Sequence, residues 1–145
     1  MRQRILMNWI QDFGNIAVPA CRLRIAGVFF ALMVMAGAIP GEAHALSAIF
    51  GDKALHFCAY ALLSLLIFTG SPGSTWSRAV RTVLLIAVLG ATDEAIQGFM
   101  PYRNADFLDW AWDMLASCWS VASLLALDAV GVRIDNEPDR DPIPD

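Results

Sequence analysis

Four long apolar segments separated by short polar stretches constrain this chain most, because a small protein has no core large enough to hide them all. The second, Ala54 to Gly70, reads ALHFCAYALLSLLIFTG and carries no aspartate, glutamate, lysine or arginine. The first, Ile25 to Pro40, reads IAGVFFALMVMAGAIP and is equally uncharged. A third begins near Ala79 and stays apolar through Ala91 apart from Arg81. Asp93, Glu94 and Gln97 then follow on the same predicted helix, which Met100 and Pro101 close because proline cannot continue the hydrogen-bond ladder. The fourth starts near Asp106 and runs to Val132, with Asp109 and Asp113 in its first turns and Asp128 near the far end. With 57% hydrophobic and 17% charged residues over a length of 145, the chain departs from soluble domains, where about 45–50% and 25% are usual.

A membrane span needs about 20 apolar residues, and the first segment reaches that length only if its ends enter the interface. The expected fold is therefore an all-α membrane protein, a bundle of about four transmembrane helices spanning roughly residues 25–41, 54–70, 79–99 and 107–131. Residues 1–24 place Ile5, Leu6, Trp9, Ile10 and Phe13 on one helical face among Arg2, Arg4, Arg22 and Arg24, the pattern of an interfacial segment. Residues 133–145 hold three prolines and many acids without periodicity, and are predicted to be a disordered tail. The first segment has a second reading. Arg22–Leu23–Arg24, an apolar run and the triplet Ala43, His44, Ala45 together follow the order of a cleaved signal peptide.

Four spans would place Arg2, Arg4, Arg22, Arg24, Arg78, Arg81, Arg133 and Arg140 on one side and only Lys53 and Arg103 on the other. The positive-inside bias then predicts both termini in the cytoplasm and a multi-pass protein of the cell inner (cytoplasmic) membrane. Cleavage of the first segment would leave these side assignments unchanged. A net charge of -4, with no basic run or aromatic-interleaved patch, argues against nucleic acid as a partner. The three cysteines, Cys21, Cys58 and Cys118, are far apart and sit in or beside apolar runs, so they read as small packing residues and not as a disulfide or zinc framework.

The exception to all this greasiness is Asp93 to Asp113, DEAIQGFMPYRNADFLDWAWD, which sets five carboxylates, a glutamine and an arginine between two apolar segments. Lys53, His56 and Tyr60 stand at i, i+3 and i+7 on the second segment, and Asp106, Asp109 and Asp113 repeat that spacing on the fourth. Topology alone sends Lys53, His56, Tyr60, Asp93, Glu94, Gln97, Arg103, Asp106, Asp109 and Asp113 to one end of the bundle, the outer one. Ionisable groups inside a span cost about 2.5–3.5 kcal/mol each, so these must face the bundle interior, pair, or reach water. Arg103 is expected to neutralise a carboxylate through its planar fork. Trp110, Trp112 and Trp119 read as interface anchors and packing residues.

Three motifs carry a resemblance: D-K-x-x-H-F-x-x-Y at Asp52 to Tyr60, D-E-x-x-Q at Asp93 to Gln97, and P-x-R-x-x-D-x-x-D at Pro101 to Asp109. In that order and on those segments they resemble the VanZ-like membrane protein family, over roughly Asp52 to Leu125. The resemblance implies a small multi-spanning helical protein and a link to low-level resistance to the glycopeptide teicoplanin. The chain departs from the family pattern at Asp113, where Asn is usual, and at Ala116, where Gly is usual.

Two functions fit the residues. In one, an outward-facing ionic pocket binds a membrane lipid headgroup or a lipid-linked cell-wall precursor. Lys53 and Arg103 would then contact phosphate, while His56, Glu94 and Asp109 are the candidates for proton transfer. Alternatively, His56 with Asp93, Glu94, Asp106 and Asp109 would hold a hard divalent cation. In the other, the charges form only a structural network that fixes helix packing. No nucleophile elbow, phosphate-cradling glycine loop or His/Cys metal spacing names a reaction, cofactor or oligomeric state.

Overall fold

Hydrophobic segments of this length satisfy their own backbone hydrogen bonds only as helices, and the computed structural model is helical throughout its ordered elements. It describes residues 2–39 and 51–130, with side chains from residue 18 onward. The Ala43–Ala45 triplet, the tail 133–145 and the side chains of the amphipathic pattern Ile5–Phe13 lie outside the described residues. Four helices follow in order: α1 Arg2–Gly37, α2 Asp52–Gly70, α3 Thr75–Gly98 and α4 Phe107–Ala129.

Among the described residues, three stretches are long and apolar enough to cross a membrane: Val18–Gly37, Asp52–Gly70 and Phe107–Ala129. At 1.5 Å per residue, the 19 residues of α2 extend about 28 Å, close to the ~30 Å of a bilayer's hydrocarbon core. The interfacial segment expected before the first span is no separate element, because α1 runs unbroken for 36 residues, through Pro19, into the apolar stretch. α3 is less apolar than these three because it holds more polar residues, and it carries several of them inward. Arg78, Thr82, Asp93, Glu94 and Gln97 are buried, while Val80, Leu84, Leu85 and Val88 face outward. That inside-out arrangement suits an apolar solvent better than water.

α2 is the central element and packs against each of the other three, while α4 also packs against α3. Its buried residues His56, Tyr60, Leu63, Ser64 and Ile67 recur at spacings of three and four, one face of a helix. Asp109, Asp113, Ala116, Ser117 and Val121 do the same on α4. The interior is layered along the bundle. A polar layer occupies one end; an apolar layer of Ala26, Tyr60, Leu63, Ile67, Ile86 and Ala116 follows; a second apolar layer of Phe68, Ala79, Val121 and Leu124 lies toward the other end. Ala116 is fully buried in the middle layer.

The end opposite the polar layer is fixed by arginines that composition alone assigns to a surface. Arg78 and Arg81 sit near the N-terminus of α3, where the helix dipole disfavours a cation. Their partners explain the placement. Arg78 Nε donates to Phe68 O at 3.0 Å and its guanidinium lies 4.6 Å from the centre of the Phe68 ring, while Arg81 Nη1 donates to Pro72 O at 2.7 Å. Arg22 Nη1 of α1 donates to Thr69 O at 3.2 Å. Arg78 and Arg22 thus serve the carbonyl end of α2, where the dipole favours them, and Arg81 holds the turn that follows it. Gly73 adopts φ +104 in the connecting turn, a conformation that L side chains rarely reach. Gly70 permits close helix approach, since a Cβ there would fall 2.9 Å from Pro19 O.

The three cysteines depart from expectation. Cys21, Cys58 and Cys118 are exposed on the outside of the bundle and do not pack in its core. A small apolar residue is equally at home on a lipid-facing surface, so hydrophobic context could not distinguish the two locations.

Candidate functional site

The polar layer is built where the N-terminal turns of α2 and α4 meet the C-terminal turns of α3. Asp106 caps α4, its side chain accepting from Leu108 N, so it precedes the helix and does not share its face with Asp109 and Asp113 as a helical residue. The same residue's backbone N–H donates to Glu94 Oε2 at 2.7 Å, which ties the end of α3 to the start of α4. α3 ends at Gly98, two residues before Met100, and Met100 N closes back on Gln97 O.

Of the ten residues the sequence sends to this end, nine meet in one continuous set of contacts and the tenth, Arg103, joins through Gln97. Lys53 Nζ lies 3.2 Å from Asp109 Oδ1 and 3.7 Å from Asp106 Oδ2. His56 Nδ1 is 2.9 Å from Asp113 Oδ1, and its Nε2 stands 4.0 Å from Asp109 Oδ2. The His56 and Tyr60 rings stack with planes 5° apart, and Tyr60 OH reaches Asp93 Oδ2 at 3.5 Å. Gln97 Nε2 donates to the same oxygen at 3.2 Å. Arg103 departs from expectation: its Nη2 donates to Gln97 Oε1 at 2.7 Å and pairs with no carboxylate among the described residues. Gln97 therefore relays between the guanidinium and Asp93, a role that charge pairing alone does not suggest.

The tryptophans frame the layer. Trp110 Nε1 donates to Ala87 O at 3.1 Å across to α3, Trp112 packs edge-on against Phe57, and Trp119 is largely exposed.

Burial is graded. His56, Asp93, Glu94, Gln97, Asp109 and Asp113 are buried, whereas the side chains of Lys53 and Asp106 are 43% and 46% exposed and form the rim. Asp93, Glu94, Asp106, Asp109 and Asp113 supply five negative charges when ionised, against two permanent cations, Lys53 and Arg103. The formal balance is −5 + 2 = −3 with neutral His56 and −2 with imidazolium. Both cations already have partners inside the cluster. Some oxygens do not: Glu94 Oε1 and Asp113 Oδ2 are buried without a hydrogen-bond partner among the described residues, as is Ser117 Oγ one turn below Asp113.

Among the described residues, two sets of three bring potential metal-ligating atoms within 4.8 Å of one another: Asp52, His56 and Asp109, and His56, Asp93 and Glu94. The sequence did not single out Asp52, although its i, i+4 spacing from His56 puts the two on one helical face. It also missed Gly90, where a Cβ would stand 2.8 Å from Asp113 Oδ2, because a lone glycine in an apolar run carries no sign of what faces it.

No family model matches the chain. No solved structure matches it. It is 30% identical over 107 residues to an uncharacterized protein, C11E3.10, of Schizosaccharomyces pombe. That alignment takes in 73% of this chain and 64% of the relative, so the chain spans under two thirds of the length of the curated protein it resembles.

Proposed function

We propose that this chain is a four-span membrane protein of the VanZ-like type, whose outward-facing polar layer binds the polar headgroup of an envelope component. The headgroup belongs to a membrane lipid or a lipid-linked cell-wall precursor, with reduced glycopeptide sensitivity as a consequence. The family assignment rests on the three motifs at Asp52–Tyr60, Asp93–Gln97 and Pro101–Asp109. α3 is the fourth span, supported by its apolar outer face, and the arginine distribution orients the polar layer outward.

One observation carries the binding reading over a purely structural network. A network that only fixes helix register is expected to satisfy all its buried members, since each unpaired one costs stability. This layer instead leaves Glu94 Oε1 and Asp113 Oδ2 unpartnered beneath a half-exposed rim of Lys53 and Asp106. The structural reading keeps one point in its favour: Lys53, His56 and Tyr60 each bridge two helices.

The test substitutes His56→Ala, Glu94→Gln and Asp109→Asn singly and measures folded yield in detergent beside teicoplanin sensitivity of cells. Binding predicts that sensitivity changes at normal yield in at least Glu94→Gln. Parallel loss of yield and phenotype in every variant would reject it in favour of the network.

A further inference from the structure

The charge balance of the polar layer presents a difficulty for any anionic headgroup, because five carboxylates outnumber the two permanent cations and both cations are engaged. A bound divalent cation resolves it. We propose that His56, Asp93 and Glu94 form a site for a divalent first-row transition metal, of the Zn2+ or Mn2+ class, and that this ion is what an oxygen of the headgroup contacts. The inference rests on the binding reading above only for that last clause.

Several observations converge on these three residues. Each is buried, and each offers a ligand atom within 4.8 Å of the other two. Ligands of a single Zn2+ at about 2.1 Å lie roughly 3–3.5 Å apart, so small rotamer adjustments within that envelope suffice. Glu94 is 8% exposed, and while Oε2 takes the Asp106 N–H, Oε1 has no hydrogen-bond partner among the described residues. A buried carboxylate oxygen beside a second carboxylate and an imidazole is the donor such an ion requires.

His56 is also held as a metal ligand commonly is. Its Nδ1 is engaged by the fully buried Asp113 at 2.9 Å, which fixes the ring and leaves Nε2, 4.0 Å from Asp109 Oδ2, as the nitrogen available to an ion. Asp113 is thus a positioning residue. The nitrogen donor favours Zn2+ or Mn2+ over Mg2+ and Ca2+, which prefer all-oxygen shells. The alternative set with Asp52 and Asp109 is less suited, because Lys53 already lies 3.2 Å from Asp109 and Asp52 is not buried.

The test uses the full chain in detergent, stripped with a chelator and titrated with Zn2+, Mn2+, Mg2+ and Ca2+, with bound metal counted after desalting. We expect one Zn2+ or Mn2+ per chain. Glu94→Gln and Asp93→Asn should each weaken binding at least about tenfold, and Asp113→Asn about 10- to 100-fold, the range for a lost supporting hydrogen bond. Asp52→Asn should bind as the parent does. Absence of Zn2+ and Mn2+ binding, tighter binding of Mg2+ or Ca2+, unchanged binding in Glu94→Gln, or loss in Asp52→Asn would each overturn the site.

Should the cluster variants fold poorly, the unsubstituted site still decides. In a His44→Ala background, Zn2+ should protect His56 from diethyl pyrocarbonate, and equal modification with and without metal overturns the proposal. Phosphatidylglycerol in mixed micelles separates the two readings. Lipid binding that persists in the stripped chain overturns the ion as the contact and leaves headgroup binding standing. Metal binding without any lipid binding supports the ion site and removes the headgroup reading.

Discussion

The hydrogen bond between His56 and Asp113 offers the sharpest test of how the polar layer is held. Both partners are buried, Asp113 completely, and the contact is 2.9 Å. Asp113→Ala would leave the imidazole Nδ1 unpaired in the bundle interior, and removing one member of a buried pair costs about 3–5 kcal/mol. Asp113→Asn keeps an oxygen at nearly the same place and preserves volume, so only the charge-assisted part is lost, about 1–2 kcal/mol. A double-mutant cycle with His56→Ala should return a coupling of about 1.5–3 kcal/mol. The matched control is Lys53 with Asp109, a contact of similar length at 3.2 Å whose lysine side chain is 43% exposed. Water and salt screen that pair, so its coupling should be smaller and should fade as ionic strength rises. The assay is reversible unfolding in mixed micelles, titrated with denaturing detergent, for each single and double variant. If the His56–Asp113 coupling is no larger than that of Lys53–Asp109, burial does not govern the energetics of this layer and the reasoning fails.

Four further outcomes follow, three from the packing and one from the proposed orientation. Gly90→Ala should destabilise, because its Cβ would stand 2.8 Å from Asp113 Oδ2 and overpacking costs about 1–3 kcal/mol, whereas Gly27→Ala, with nothing within 4 Å, should be neutral or gain up to about 1 kcal/mol; equal effects in the same unfolding assay would contradict the structure. Arg78→Lys should cost about 1–3 kcal/mol despite keeping the charge, because lysine cannot both donate from the Nε position to Phe68 O and lie flat over the Phe68 ring; a neutral result would count against this cap. Replacing Cys21, Cys58 and Cys118 together by alanine should leave stability within about 0.5 kcal/mol, since all three are exposed. In that background, a cysteine placed at Ser74 should resist membrane-impermeant maleimide in intact cells, and labelling there would reverse the proposed orientation.

The layer's membership was readable in sequence because helical periodicity and topology act together. His56 and Tyr60 on α2, Asp93 and Gln97 on α3 and Asp109 and Asp113 on α4 recur at intervals that keep each set on one face. Neighbouring segments that run in opposite directions then bring those faces to the same end. Arg103 shows the limit of this logic. It lies in a connecting turn, where no period fixes direction, and its guanidinium found the Gln97 amide and no carboxylate. Arg78 shows another limit: counted as a side-marking charge, it is a buried donor to the preceding helix's carbonyls, a role that depends on the path of the turn at Gly73.

The amino-acid order alone therefore determined that the described chain is helical, that at least three of its segments are apolar enough to enter a membrane, and which polar residues share an end. Those properties follow from local hydrogen bonding and from a period of 3.6 residues, neither of which needs a neighbour. Tertiary structure decided the pairings. It placed Asp113 on His56, Lys53 on Asp109 and Arg103 on Gln97, left Glu94 Oε1 without a partner, and turned the cysteines outward. Which of several nearby carboxylates a side chain meets depends on helix rotation and separation to within an ångström. Contacts such as Gly70 with Pro19 and Gly90 with Asp113 set those quantities, and they exist only once the helices have packed.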